Sequence, residues 1–272
     1  MSVELVPGER LAPDGPVRHR RPPPELAGAV SVFWHTYTPG GLARVLPDAA
    51  VDLVLSRERL VVAGPDTGPV REWLGAGPIL GIQVRPGAVA ALLGLPAAEL
   101  LNTRVELSQL WGPAGRDLAE QLAAAPTPAA AADLIAAALR RRLAGSDLDP
   151  LADRLRHLTP RTPEVRALAA EVGLSERHLR RRAVAAYGYG PRTLSRILRF
   201  QHVLDALRAP AAPSLAHLAA HAGYADQAHL TRETTTFAGL TPTALRAALS
   251  PARETGGKRN EVGYPVALLG RA

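Results

Sequence analysis

The chain has 272 residues, 32 Lys and Arg against 25 Asp and Glu, a formal net charge of +7 and no cysteine. That length can bury a sizeable core and accommodate two domains. The missing thiols exclude a disulfide framework, a thiolate metal centre and a cysteine nucleophile. No charged segment leads into an apolar run at the start, and no apolar stretch reaches about eighteen residues, so a cytoplasmic protein with no membrane partner is expected.

In chain order, residues 1–28 are polar and proline-rich and read as an extended arm. From Gly28 the texture becomes strand-like. Residues 29–37 are rich in β-formers and stop at a Pro-Gly-Gly turn; residues 44–55, 59–63, 70–74 and 79–84 follow, separated by Gly and Pro. Five or six short strands of this kind predict a small sheet or partial barrel. After residues 85–87 the period turns helical, with short helices at 88–93 and 97–101, a longer one at 115–124 and an alanine-rich one at 128–143. Its last turn, Arg140, Arg141 and Arg142, suits a solvated helix C-terminus. Residues 1–145 are therefore expected to form one domain. Three prolines mark 146–163 as a linker, 164–250 as a second domain and 251–272 as a tail with an apolar patch at 266–269.

The second domain is written twice. Val165, Leu168, Ala169 and Gly173 recur as Leu215, Leu218, Ala219 and Gly223. After one inserted residue, His178, Leu179, Arg181, Gly188, Pro191 and Leu194 recur as His229, Leu230, Arg232, Gly239, Pro242 and Leu245. Such a recurrence is an internal repeat and sets the architecture. In each copy an apolar helix ends at a glycine able to turn left-handed, and Ser175 or Asp226 then caps a second helix. That is the geometry that places a helix in a DNA major groove. The first such helix, about 176–186, carries Arg177, His178, Arg180, Arg181 and Arg182. The second, about 227–237, carries Gln227, His229, Thr231 and Arg232, with Ala228 and Leu230 expected to face inward. Arg can bridge guanine O6 and N7, Gln can pair with adenine, and Thr can meet a thymine methyl. Residues 191–209 between the copies carry a helical apolar stripe and predict a connecting helix, on which Arg192, Arg196 and Arg199 are candidates for phosphate contact. Residues 161–253 hold 13 basic against 6 acidic residues, and residues 1–160 hold 16 against 17, so the excess charge lies on the repeat, as a polyanion partner requires.

The run Gly223-Tyr-Ala-Asp-Gln-Ala-His-Leu-Thr-Arg232, followed by Gly239-Leu-Thr-Pro242, resembles the signature of the AraC/XylS family of bacterial transcription regulators. With the first copy the resemblance covers about 90 residues. It implies two helix–turn–helix units joined by a helix and acting as a transcription regulator. The chain departs from the pattern at Thr234, where the family usually has an aromatic, with Phe237 three residues on. Leu46 to Leu55, the run Val62-Ala-Gly-Pro-Asp-Thr67 and the run Val84-Arg-Pro-Gly-Ala88 resemble the sensor-like N-terminal domain of an uncharacterised subgroup of these regulators, over roughly residues 25–125.

The expected fold class is α+β: an N-terminal small sheet or partial barrel with helices, and an all-α C-terminal domain with two helix–turn–helix motifs. The function expected is that of a sequence-specific, non-enzymatic regulator, either activator or repressor. Its partner is double-stranded DNA, with RNA polymerase, a small-molecule effector and a second copy of the chain left open. No catalytic residue, metal site or cofactor is expected, since no His-x-His pair, Gly-x-Ser-x-Gly elbow or phosphate-cradling glycine loop occurs. Trp34, His35, Arg44, Asp48, Asp52 and Trp73 are the polar and aromatic residues expected near an effector pocket. The alternative is an enzyme delivered to DNA by its basic half.

Overall fold

The structure is a computed structural model describing residues 9–11, 17–56, 59–209 and 213–249. The tail and its apolar patch lie outside the described residues. Nine strands among these residues form two sheets: β1 (Arg10–Leu11), β2 (Arg18–Arg20), β3 (Val30–Thr38), β4 (Gly41–Val45), β5 (Val51–Ser56), β6 (Arg59–Ala63), β7 (Val70–Leu74), β8 (Gly77–Val84) and β9 (Arg104–Glu106). The larger sheet runs β2-β3-β8-β5-β6-β9, antiparallel throughout. The smaller runs β1-β4-β7. Phe33, Ile82 and Leu53 lie in register across β3, β8 and β5. Alternation puts them on one face, which packs against α1 (Val89–Leu93), α2 (Leu107–Trp111), α3 (Pro113–Ala123) and α4 (Pro128–Leu143) in one apolar core. Arg104 on β9 joins the two sheets: it pairs with Glu72 on β7 and donates to both Asp66 oxygens at 3.0 and 2.7 Å.

The proline-rich arm is partly sheet. Arg18–Arg20 pair with β3, and Arg10–Leu11 run parallel to β4. An edge strand needs only ladder hydrogen bonds, so the polar Arg-His-Arg carries no alternation to betray it. The stretch read as a linker contains α5 (Pro150–Leu158). Asp149 caps it, Pro150 opens it, and Ala152 and Leu155 are buried. Proline in a first helical turn starts a helix rather than breaking one.

A second core holds α5 with α6 (Val165–Glu171), α7 (Glu176–Tyr187), α8 (Pro191–Arg208), α9 (Leu215–His221), α10 (Gln227–Ala238) and α11 (Pro242–Leu249). Two N-terminal residues, Leu11 and Ala49, belong to it as well. Ala49 adopts φ 62° in the β4–β5 loop. That loop is gripped by Arg156 on α5, which donates to the carbonyls of Asp48 and Ala49, and by Gln201 on α8, which donates to Pro47 O at 2.6 Å. The N-terminal half is thus packed against the helical half by side-chain-to-backbone bonds, not merely strung to it.

Candidate nucleic-acid interface

Both helix–turn–helix units are built by the same local bonds. In the first, Gly173 takes φ 70°, its N–H donates to Ala170 O, and Leu174 N–H donates to Ala169 O at 2.9 Å. In the second, Gly223 takes φ 72°, with the equivalent bonds from Gly223 to Ala220 O and from Tyr224 to Ala219 O. These satisfy the last carbonyls of α6 and α9 and turn the chain. Ser175 then accepts from His178 N–H, and Asp226 from His229 N–H, capping α7 and α10 at matching positions. The helices end alike too, at Gly188 with φ 80° and Gly239 with φ 64°.

Leu179, Ala183, Ala186 and Tyr187 bury one face of α7. Arg177, His178, Arg180 and Arg181 are exposed on the rest, and no side-chain partner holds them among the described residues. Arg182 differs. It pairs with Asp149 through both carboxylate oxygens, one contact at 2.9 Å, so the linker already occupies it. On α10, Leu230, Glu233, Thr234, Phe237 and Ala238 are buried, whereas Ala228 is exposed, contrary to expectation. The inward stripe starts at Leu230 and advances by three or four residues, which leaves Ala228 on the outer surface with Gln227 and Arg232. Thr231 is half-buried and its hydroxyl donates to Gln227 O at 2.9 Å, so that donor is already used within the helix. The His229 ring is turned back: Nδ1 accepts from Ala225 N–H at 3.4 Å, and the ring meets Tyr224 edge-on at 5.2 Å.

The three arginines of α8 have separate environments. Arg192 is exposed without a described partner. Arg196 forms a two-pronged bond with Glu233 of α10 at 2.9 and 2.8 Å and lies over Phe237. Arg199 sits over the Tyr224 ring at 5.2 Å. Burial pushes the Glu233 carboxyl up, but the hydrogen bonds and charge of Arg196 outweigh it and hold it below the usual range. The pair fastens α8 to α10. Asp149, Glu233 and Tyr224, the partners that decide which arginines stay free, were not singled out from the sequence. Only the Asp-Pro at 149–150 carries a local signal, that of a helix cap.

The six residues expected around an effector pocket do not assemble into one. Trp34 and His35 line a cleft of about 120 Å³ with His19, Arg20, Phe33 and Leu80, closed by the start of α4. Trp34 Nε1 donates to Asp52 at 3.0 Å, and Asp48 accepts from Gln83 at 3.3 Å and from Ala50 N–H. Arg44 is elsewhere. It is buried, bonded to both Glu9 oxygens at 2.8 Å, and it donates to Ala238 O at 2.9 Å and Gly239 O at 3.1 Å. Trp73 is 79% exposed on the smaller sheet. The pattern of residue types was visible in sequence; its division between a cleft, a loop and a contact with α10 was not. Among the described residues no group of three or more His, Cys, Asp or Glu is placed to hold a metal ion, and no helix is long and apolar enough to cross a membrane.

Residues 168–248 match a family described as a helix-turn-helix domain, and residues 18–106 match a domain of unknown function (DUF6597). No curated protein matches the chain. Among solved structures the chain is similar to ToxT from Vibrio cholerae O395, with 8% identity and a TM-score of 0.44, over 80% of this chain and 98% of that one. It is also similar to unsaturated fatty acid bound wild-type ToxT from Vibrio cholerae strain SCE256, with 11% identity and a TM-score of 0.41, over 80% of this chain and 86% of that one. With its repeated helix–turn–helix units and a family match that spans both, the segment at residues 168–248 is an AraC-type DNA-binding helix–turn–helix domain.

Proposed function

We propose that the chain reads a two-block DNA site through α7 and α10, set in successive major grooves of one duplex face. The observation that carries this reading is the pair of equivalent helices, each with exposed polar or cationic side chains in its first turns, joined by an 18-residue helix. At 1.5 Å per residue α8 is roughly 27 Å long, against about 34 Å between grooves on one face. Arg177, Arg180 and Arg181 on α7, and Gln227, Thr231 and Arg232 on α10, are the base-reading candidates. Arg192 is the phosphate candidate on α8, and His178, exposed in the first turn of α7, is a further candidate for DNA contact. Arg182, Arg196, Arg199 and His229 act by holding the helices in place, because their polar groups or ring faces are already engaged within the protein.

The N-terminal domain is the sensing half in this reading, and its ligand acts by altering how it holds α7 and α10. Selection of bound sequences from a random DNA pool tests the proposal. The intact chain should enrich two blocks about one helical turn apart, and an Arg181→Ala, Arg232→Ala double variant should lose that enrichment. A pool that stays random under the intact chain would overturn sequence-specific reading.

A further inference from the structure

A groove of about 360 Å³ runs between α3 and α4, lined by residues of α2, α3 and α4 alone. Its walls follow from helical spacing. Ala114, Asp117, Leu118 and Gln121 form one stripe of α3, and Ala138, Arg141 and Arg142 the facing stripe of α4, with Trp111 between. The space exists because alanines stand where the two helices face each other. Its size falls at the lower end of the range that holds small molecules.

Trp111 and Arg142 are fixed. Trp111 Nε1 donates to Leu92 O at 2.9 Å, Arg142 Nε donates to the same carbonyl at 3.2 Å, and the guanidinium lies 5.6 Å from the centre of the indole ring. The indole is therefore satisfied at its polar edge and acts in the groove as an apolar wall. The terminal amino groups of Arg142, the whole guanidinium of Arg141 and the carboxylate of Asp117 make no ion pair among the described residues. Two cations and one anion thus line one space without neutralising each other. Arg140, one residue earlier, is spent on Glu25 at 2.6 Å.

We infer that this groove binds a free amino acid with an apolar side chain: its carboxylate on Arg141 and Arg142, its ammonium on Asp117, its side chain against Trp111, Leu118 and Ala138. Only a zwitterion uses both charge types, and a compact one suits the volume. The carbonyl gripped by Trp111 and Arg142 lies near the end of α1, and α1 packs against α7, the first reading helix. Occupancy of the groove is therefore one helix removed from the DNA-reading surface. This inference rests on the regulator reading only for that last link; binding itself stands apart from it.

Titration calorimetry on the full chain uses L-phenylalanine as the probe, with phenylpropionate (no ammonium) and phenethylamine (no carboxylate) as comparators. Saturable phenylalanine binding is expected, and each comparator should bind about tenfold weaker or worse, the effect of one charge-assisted hydrogen bond. Asp117→Asn and Arg141→Gln, both at exposed positions, should each weaken phenylalanine by a similar factor with unchanged melting temperature. Ala138→Leu, which fills the groove, should abolish binding. No phenylalanine binding, equal binding of phenylpropionate, or retention of affinity in Asp117→Asn would each overturn the inference. Affinity for DNA without ligand is measured in parallel, so failure of the groove is distinguishable from failure of the DNA reading.

Discussion

At the scale of single residues, neighbours decide what each ionisable group can do. Asp52 is withdrawn from water and lies near the charge of Asp48; the two effects raise its carboxyl to about 7, against the opposing hydrogen bond from Trp34. The folded form thus holds a proton that the unfolded chain, at the ordinary value of 3.8, has already released. This contribution to stability is fully present below the unfolded value and is lost as pH rises through the folded one. Asp52→Asn keeps an acceptor for Trp34 and removes the charge. Its melting temperature should exceed that of the parent most at pH 8 and by nothing near pH 4, as thermal melts across that range would show. Arg44 is the converse case, a buried cation matched by Glu9, whose side chain is fully buried. Removing one member of such a pair leaves a desolvated charge, so Arg44→Met should cost about 3 kcal/mol in urea denaturation. A loss below about 1 kcal/mol would show that Arg71, the other partner of Glu9 at 2.8 Å, suffices alone.

Helices with similar sequences carry different duties because of what faces them. Arg192 and Arg196 lie four residues apart on α8, one free and one bonded to Glu233. If Arg192 meets a phosphate, Arg192→Gln should reduce the slope of log affinity against log salt by about 1 and leave stability unchanged. Arg196→Gln should leave the slope alone and lower stability by about 2 kcal/mol, because Glu233 is then a buried carboxylate without its cation. The opposite assignment of the two effects in a salt titration would refute the division. At Thr234, where the resemblance leads one to expect an aromatic, a buried hydroxyl has no hydrogen-bond partner. Phe237 supplies the aromatic contact from three residues later, its ring centre 5.4 Å from that of Phe200.

For the whole molecule, the N-terminal half comes close to α7 and α10 at the two repeat glycines that end them. A Cβ at Gly188 would meet Pro65 and Ala97 O, and one at Gly239 would meet Arg44 and Pro69. Both helices are thus held at their C-terminal ends, leaving their first turns to the solvent side. With α8 between them, this predicts a fixed separation. Inserting half a helical turn, about five base pairs, between the two blocks of a selected site should rotate one block off the face and reduce binding to that of a single block. Undiminished affinity in a gel-shift assay would mean that the two units move independently.

The repeat, its caps and its glycine turns were legible from residues 164–246 because each depends on a few neighbours along the chain: a side chain capping the N–H three residues on, a left-handed glycine, an apolar stripe of period 3.6. Most strands of the N-terminal sheets were legible for the same reason, as runs of β-formers between Gly and Pro. By itself the sequence therefore determined the two-part architecture and the DNA-binding class. Which arginines are already paired within the protein was decided only by tertiary structure. Asp149 lies 33 residues from Arg182, Glu233 37 from Arg196, and Arg44 195 from Gly239. Charge pairing and desolvation depend on distance in space, which local pattern does not encode. The same holds for the loop at residues 46–50, whose carbonyls bind Arg156 and Gln201 from the other half of the chain.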